Sequence, residues 1–341
     1  YKLMQRVLAE HCVVQSDGGN PRVVVKKPKD VPTDSLQNPS DPDAAYSGYK
    51  GQGYQVQVME TFTRSKDDPQ KKPGLNLITH VAVEKANAQD ADALIPAIEA
   101  SEQRGIKPDM VLADTLYGRD ENAQNAKGAG VDLVAPVKDG HNGSACTGMR
   151  LCDFTFDDSG RVVRCPVGRG PENVRYKKKT KRFTARFDRQ HCRSCPEVDA
   201  CPIKPGKKYY YLWYSEKNYR LSRRRQFEAR DEFVDLYRWR AGVEATMSQY
   251  DRLTGVKRLR VVGLKAVGFC ATLKATGLNI LRAAAVRGRQ RKPHDAKTGA
   301  LGPAFMLFSI IKEPIGRWWP NIMKKLPPRF AGAYGTIILA A

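Results

Sequence analysis

No run in this chain approaches the roughly 20 consecutive apolar residues that a membrane-spanning helix requires. The apolar stretch from Phe305 to Ile311 stops at Lys312 and Glu313. A helical membrane span is therefore excluded. The given residues contain no secretory signal either, so the eight cysteines are expected to be reduced thiols or a metal site and not a disulfide framework. Histidine is scarce: five occur, His80 and His294 among them, and they form no cluster that could carry catalysis. Acidic residues are few beside basic ones, 36 against 58, giving a net charge of +22. A balance of that size suits a polyanionic partner, because Lys and Arg that neutralise phosphates release counterions, and it predicts binding that weakens steeply with salt. The alternative is a merely soluble basic protein.

The chain opens on Tyr1 within an amphipathic helix running to His11, and we expect a piece of a longer protein. Residues 1–48 pattern as this helix and a linker, with a basic patch at Lys26, Lys27 and Lys29 and turn-formers through Pro39 to Asp43. From Tyr54 to Val58 the residues alternate with period two, and Leu75 to Val83 supplies a second such run, which predicts a hairpin with half-buried strands. Helical spacing follows from Asp90 to Arg104, with Pro96 tolerable only near the first turn. Met110 to Ala113 then forms a short apolar strand ending in Asp114. A helix from Glu121 to Ala129 and a strand from Val131 to Pro136 complete an α/β rhythm, hence a mixed sheet flanked by helices spanning 49–139. Residues 140–214 break that rhythm with Gly, Pro, Cys and Lys and are taken as an insertion. Residues 215–287 return to helix apart from a turn at Gly255, and 288–341 form a basic, irregular tail with an apolar end of no assigned role.

The most informative stretch runs from Tyr237 to Asp251. At about 100° per residue a single helix would place Tyr237, Arg240, Glu244 and Asp251 within roughly 60° of arc, with Leu236, Trp239, Val243 and Met247 on the adjoining apolar arc. Glu244 is thereby presented at the edge of a core. Asp114, at a strand end far earlier in the chain, is the natural second carboxylate. Two carboxylates converging from a strand and a helix suit divalent ions that activate a water and stabilise a leaving oxygen, and Mg²⁺ needs few protein ligands. By spacing alone the pair is weakly specified, since strand-end Asp and helical Glu are common.

Tyr237, Arg240 and Glu244 fit the Tyr-x2-Arg-x3-Glu-x6-Lys signature, and the segment Ala113 to Gly118 resembles the strand-end motif around the second acidic residue, of bacterial insertion-sequence transposases with an RNase H-like DDE catalytic core. The similarity extends from about Tyr49 to Ala285. It implies an RNase H-like mixed sheet with a Cys-containing insertion before the last catalytic helix. It also implies Mg²⁺ or Mn²⁺ held by Asp114 and Glu244, phosphate or DNA-end contacts from Arg240 and Tyr237, and DNA as partner, both the terminal inverted repeats and the target. A homodimer assembled on DNA and a bacterial, nucleoid-associated cytoplasmic location follow from the same resemblance. Two departures stand out. The signature's final Lys falls on Asp251, with Arg252 beside it, and no apolar-Asp-Ser/Thr strand precedes the hairpin to supply the first acidic residue. Asp41 and Asp43 lie in turn chemistry, so the first aspartate is expected upstream of Tyr1, with Asp41 or Asp43 as the alternative.

Within the insertion, Cys165, Cys192, Cys195 and Cys201 supply four thiols, three of them followed by proline, and Cys165 to Gly168 looks like a zinc-knuckle turn. They would make either a closed tetrahedral Zn²⁺ site stabilising a segment too polar to form a core alone, with His191 able to replace Cys192, or reduced structural thiols. Runs of Lys and Arg from Arg175 to Arg182 and from Lys204 to Lys208 interleave with Phe183, Phe187, Tyr209, Tyr210, Tyr211, Trp213 and Tyr214. That mixture suits phosphate contact plus stacking on exposed bases, or else a solvated hairpin with Tyr in its core. Arg220, Arg223, Arg224 and Arg225 are expected to extend the positive surface. After Gly255, Leu264, Val267, Ala271, Leu278 and Leu281 form a core-facing stripe.

Three function classes remain open from sequence: a DDE-type transposase cleaving and joining DNA at insertion-sequence ends, a catalytically incomplete DNA-binding transposase fragment, and an unrelated zinc-stabilised nuclease.

Overall fold

A computed structural model describes residues 1–16, 18–62, 75–138, 148–290 and 335–340. Residues 291–334 of the tail, Cys146 and the start of the insertion fall outside these residues. In chain order the elements begin with α1 (Lys2–His11), β1 (Cys12–Gln15), β2 (Arg22–Val25), β3 (Ala45–Ser47), β4 (Gly51–Phe62), β5 (Ile78–Lys85), α2 (Leu94–Gln103), β6 (Met110–Ala113), α3 (Asp120–Gly128) and β7 (Asp132–Val134). They continue with β8 (Thr155–Phe156), β9 (Val162–Arg164), β10 (Asn173–Lys177), β11 (Arg182–Asp188), α4 (Arg189–Arg193), β12 (Lys204–Pro205), β13 (Tyr209–Ser215), α5 (Glu216–Glu228), α6 (Asp231–Tyr237), α7 (Ala241–Thr254), α8 (Leu264–Gln290) and β14 (Gly335–Ala340). The protein is mixed α/β. It divides into two units, residues 1–87 with 245–337 and 341, and residues 88–244 with 338–340, the boundary falling inside α7 between Glu244 and Ala245.

The first unit is built on the expected hairpin. β4 and β5 pair antiparallel with Val56 opposite Val83 and Val58 opposite Val81, and a bulge sits at Met59 and Glu60. β4 is not half-buried as its alternation predicts: Gln55 and Gln57 are as enclosed as Val58. Gln55 stays satisfied by donating to Glu84 (2.8 Å) and accepting from Lys50. α8 lies against β5, with Val58, Ile78, Tyr250, Val256, Ala271, Ala275 and Leu278 forming the core. The Asn279 side chain both donates to the Ile78 carbonyl and accepts from the Ile78 amide, so the helix completes the start of the strand's hydrogen bonding. The predicted stripe on α8 holds for Val267, Ala271 and Leu278, but Leu281 is exposed. The N-terminal linker contains a hairpin that its short valine runs did not reveal, β1 paired antiparallel with β2.

In the second unit α2 begins at Leu94, after a 3-10 turn over Asp90–Ala93, so Pro96 sits in the first helical turn where its missing N–H costs nothing. β6 and β7 pair in parallel, Val111 opposite Leu133, with α3 as the crossover. The insertion differs from expectation in one respect: it has its own core. β10, β11, β13 and β12 form, in that order, an antiparallel sheet. Alternation on β11 and β13 turns Phe183, Ala185, Phe187, Leu212 and Tyr214 to one side, where they pack with Phe154, Phe156, Val162 and Ile203. The charged residues that make the segment look too polar for a core lie on the opposite face.

The stretch after Ser215 is helical in pieces. α5 starts at a capping box formed by Ser215 and Asn218. α6 ends at Tyr237, and a 3-10 turn over Arg238–Arg240 separates it from α7, so the single helix expected from Tyr237 to Asp251 is interrupted. Three residues per turn in that segment eclipse positions three apart, which sets Arg240 over Tyr237.

Candidate catalytic carboxylates and the cysteine cluster

Asp114 leaves β6 as the N-cap of a 3-10 turn over Thr115–Tyr117, its carboxylate accepting from the Thr115 amide. The turn is fixed from beneath. Tyr117 is fully buried, and Gly118 passes so close to β7's exit that an added Cβ would stand 1.9 Å from the Pro136 carbonyl oxygen. Arg224, on α5, donates to the carbonyls of Gly118 and Ala135, both at 2.8 Å, tying the two strand ends together. The Ala113 to Gly118 sequence thus specifies a strand end that aims one carboxylate outward.

Arg240 joins that carboxylate to the helical one. Its guanidinium lies 3.4 Å from Asp114 and 3.0 Å from Glu244, and 5.9 Å from the centroid of the Tyr237 ring. The Arg240 side chain is 18% exposed, against 37% for Asp114 and 61% for Glu244. Its Nε is buried and makes no hydrogen bond. Tyr237 is stacked on Phe233 (5.2 Å, 14° between planes), one turn earlier on the same helix face. Burial pushes the Tyr237 phenol up; Arg240 opposes the rise and Asp114 and Glu244 add to it. Four residues picked out from sequence therefore meet at one place, held by a half-buried cation between two more exposed anions. Sequence reasoning missed Phe233, although its spacing from Tyr237 is a helix-face signal.

The other acidic candidates are engaged elsewhere. Asp41 is buried, accepting from the Tyr54 hydroxyl (2.6 Å) and the Gly263 amide (3.0 Å), and Asp43 accepts from the Leu264 amide (3.0 Å). Both cap the start of α8, as carboxylates at helix N-termini do. Asp251 lies 3.7 Å from Lys257, while Arg252 is exposed. The expected arginine surface is also smaller than its sequence suggests. Arg220 grips the buried Asp120 with two hydrogen bonds of 3.0 and 2.6 Å, and Arg224 is spent on the strand ends, because each finds an unpaired acceptor behind α5. Arg223 is left exposed.

Cys165, Cys192, Cys195 and Cys201 line one cavity, together with His191 and Asp188. The Cys165 turn has knuckle geometry: the Arg169 amide donates to Sγ at 3.3 Å, the Gly168 amide to the Cys165 carbonyl at 2.8 Å, and Gly168 takes a positive φ of 89°. Burial pushes the Cys192 thiol up to about 11, with Cys201, Cys165 and Cys195 adding to the rise. Cys201 is raised by burial as well. His191 is held toward Asp188 at 3.4 Å and is largely exposed, so Cys192 is the better-placed donor of the two. Among the described residues no three His, Cys, Asp or Glu side chains are drawn close enough to enclose a metal ion. Cys12, Cys152 and Cys270 are free and do not line this cavity.

A family model described as "Transposase DDE domain" matches residues 164–284. By this match, that segment of the chain is similar to a transposase DDE domain. It contains Tyr237, Arg240, Glu244 and the four cavity cysteines, whereas Asp114 lies outside it and is joined to the site by geometry alone. No curated protein and no solved structure matches the chain. No helix among the described residues is long and apolar enough to cross a membrane.

Proposed function

We propose that the chain carries the catalytic machinery of a DDE-type transposase with an RNase H-like core, acting by metal-dependent cleavage and strand transfer at the inverted-repeat ends of an insertion sequence. The observation that carries this reading is the Arg240 bridge. A strand-end carboxylate and a helical carboxylate, far apart in the chain, converge on one positive group. The antiparallel β4–β5 hairpin and the parallel β6–α3–β7 unit support the RNase H-like part of the proposal.

Asp114 and Glu244 fit a divalent cation in donor chemistry, since both are hard oxygen ligands already gathered around positive charge, and Mg²⁺ or Mn²⁺ takes few protein ligands. Such an ion, when bound, polarises a water or a 3′-hydroxyl and stabilises the leaving oxygen. The chain's own contribution is to hold the two carboxylates in place, Asp114 by its rigid turn and Glu244 by α7. Arg240 presents a planar fork suited to a phosphate oxygen pair, while Asp114 and Glu244 would be the residues to hold the cation. Tyr237, clamped by Phe233, limits where that fork can swing. Two transposon ends must meet, so a second copy of the chain belongs to the proposal.

The cysteine cavity belongs to it as a structural Zn²⁺ site, supported by the four-thiol donor set and the knuckle turn at Cys165, though metal binding would have to draw the four thiols closer together than they stand.

One observation favours a second reading, a DNA-binding chain with an incomplete carboxylate site. Asp41 and Asp43 are committed to α8, and no third acidic side chain joins Asp114 and Glu244 among the described residues. Mn²⁺-supported cleavage of end-labelled DNA bearing the element's inverted repeat separates the two. Cleavage lost in Glu244→Ala, with strand transfer to a second duplex, supports the transposase. Cleavage without transfer indicates a nuclease. Salt-sensitive binding with no cleavage by either protein selects the incomplete site.

A further inference from the structure

The outward face of the insertion sheet is not used by the site above. β13 alternates so that Tyr210, Leu212 and Tyr214 face inward, leaving Tyr209, Tyr211 and Trp213 outward. Tyr211 and Trp213 are stacked, 5.5 Å apart and within 3° of parallel, and Tyr209 meets Tyr211 edge-on. Trp213 is 56% exposed, far more than an indole normally tolerates without a reason. Gly206 permits the arrangement: an added Cβ would stand 2.5 Å from the Tyr211 ring.

Cross-strand register surrounds this stack with cations. Arg186 lies opposite Tyr211, and Arg175, Thr184 and Trp213 form one continuous row. Lys177 and Arg182 are paired one row further along, and Lys204 flanks Tyr211 from β12. Arg186 sits 5.8 Å from the Tyr209 ring centroid, with its Nε buried and unpaired. The face thus combines flat apolar surfaces along one central strand with cationic groups on both sides. The pattern matches what unpaired nucleotides need: a basic track for the backbone and aromatic faces for the bases.

We propose that this face binds single-stranded DNA, with a base stacked on the open face of Trp213 and phosphates held by Arg175, Lys177, Arg182 and Lys204. This rests on the reading of the chain as a DNA-processing enzyme and adds the form of DNA that the insertion takes. Strand cleavage and transfer create unpaired ends, and the platform would hold one of them.

Fluorescence anisotropy of the full chain at fixed salt, with one labelled oligonucleotide single-stranded and in duplex, tests it. Stacking of one base corresponds to about 1–3 kcal/mol, so Trp213→Ala should weaken single-strand binding about tenfold while duplex affinity stays within twofold. Trp213→Phe should restore most of the loss, and thermal melting confirms that each variant folds. Equal loss for both DNA forms, or no loss for the single strand, overturns the platform and leaves the proposed function standing. A parent chain that binds neither form overturns both.

Discussion

The guanidinium of Arg240 stands 3.4 Å from the carboxylate of Asp114, across a gap that the chain closes only after the whole insertion has been threaded. The same guanidinium is 3.0 Å from Glu244. An arginine with little solvent access, set between two anions, lowers their mutual repulsion and fixes their spacing. Removing it leaves two like charges close together with nothing between them.

Arg240→Ala should therefore reduce Mn²⁺-supported cleavage at least tenfold, and Arg240→Lys should recover little, because a point charge cannot reach two carboxylates as a planar fork does. Single-turnover rates on end-labelled DNA measure this. A lysine variant with parental rates would remove the fork from the argument.

Arg220→Ala should destabilise the second unit by about 3 kcal/mol, since it strands the carboxylate of Asp120, which is buried and loses two charge-assisted hydrogen bonds. Denaturant titration followed by far-UV circular dichroism gives the value. A change under about 0.5 kcal/mol, the ordinary range for a surface substitution, would mean that Asp120 finds another donor.

Glu60 is buried on β4 and accepts from Thr246 (2.6 Å) and Arg282 (3.0 Å). Burial raises its carboxyl above the ordinary 4.5 and outweighs the lowering by Thr246 and Arg282. Where the folded group has the higher pKa, the folded state binds more protons, so this group's contribution to stability falls as pH rises from the ordinary value through the folded one. Melting temperatures of the parent and Glu60→Gln across that window should diverge, the parent losing stability relative to the variant with rising pH. Parallel curves would show that Arg282 holds Glu60 ionised throughout.

Chelator-free purification followed by elemental analysis should find about one zinc per chain, as a four-thiolate site holds a single ion. Cys192→Ser should lose it and lower the melting temperature. A metal-free parent that melts as the variant does would leave the four cysteines as reduced core thiols.

The order of elements was legible because it depends on local patterns. Pro96 marks the start of α2, the valine alternation sets the β4–β5 register, and the apolar run before Asp114 is β6. Motif spacing likewise picked out Tyr237, Arg240 and Glu244. Other features were not legible, for identifiable reasons. Arg220 and Arg223 look alike in sequence, and only the position of Asp120 behind α5 makes the first structural and leaves the second exposed. Asp41 and Asp43 resemble any turn acids until the start of α8 is set beside them. The buried Glu60 was overlooked because its partners Thr246 and Arg282 lie far along the chain.

By itself, then, the sequence determined the β4–β5 hairpin, the strand and helix order from α2 to β7, the charge and the identity of the groups available for chemistry, all of which follow from residue type and short-range periodicity. Tertiary structure decided which of those groups meet. Whether a carboxylate is a metal ligand, a helix cap or half of a buried ion pair depends on what long-range packing places within about 4 Å of it, where charges interact strongly, and no local pattern carries that distance.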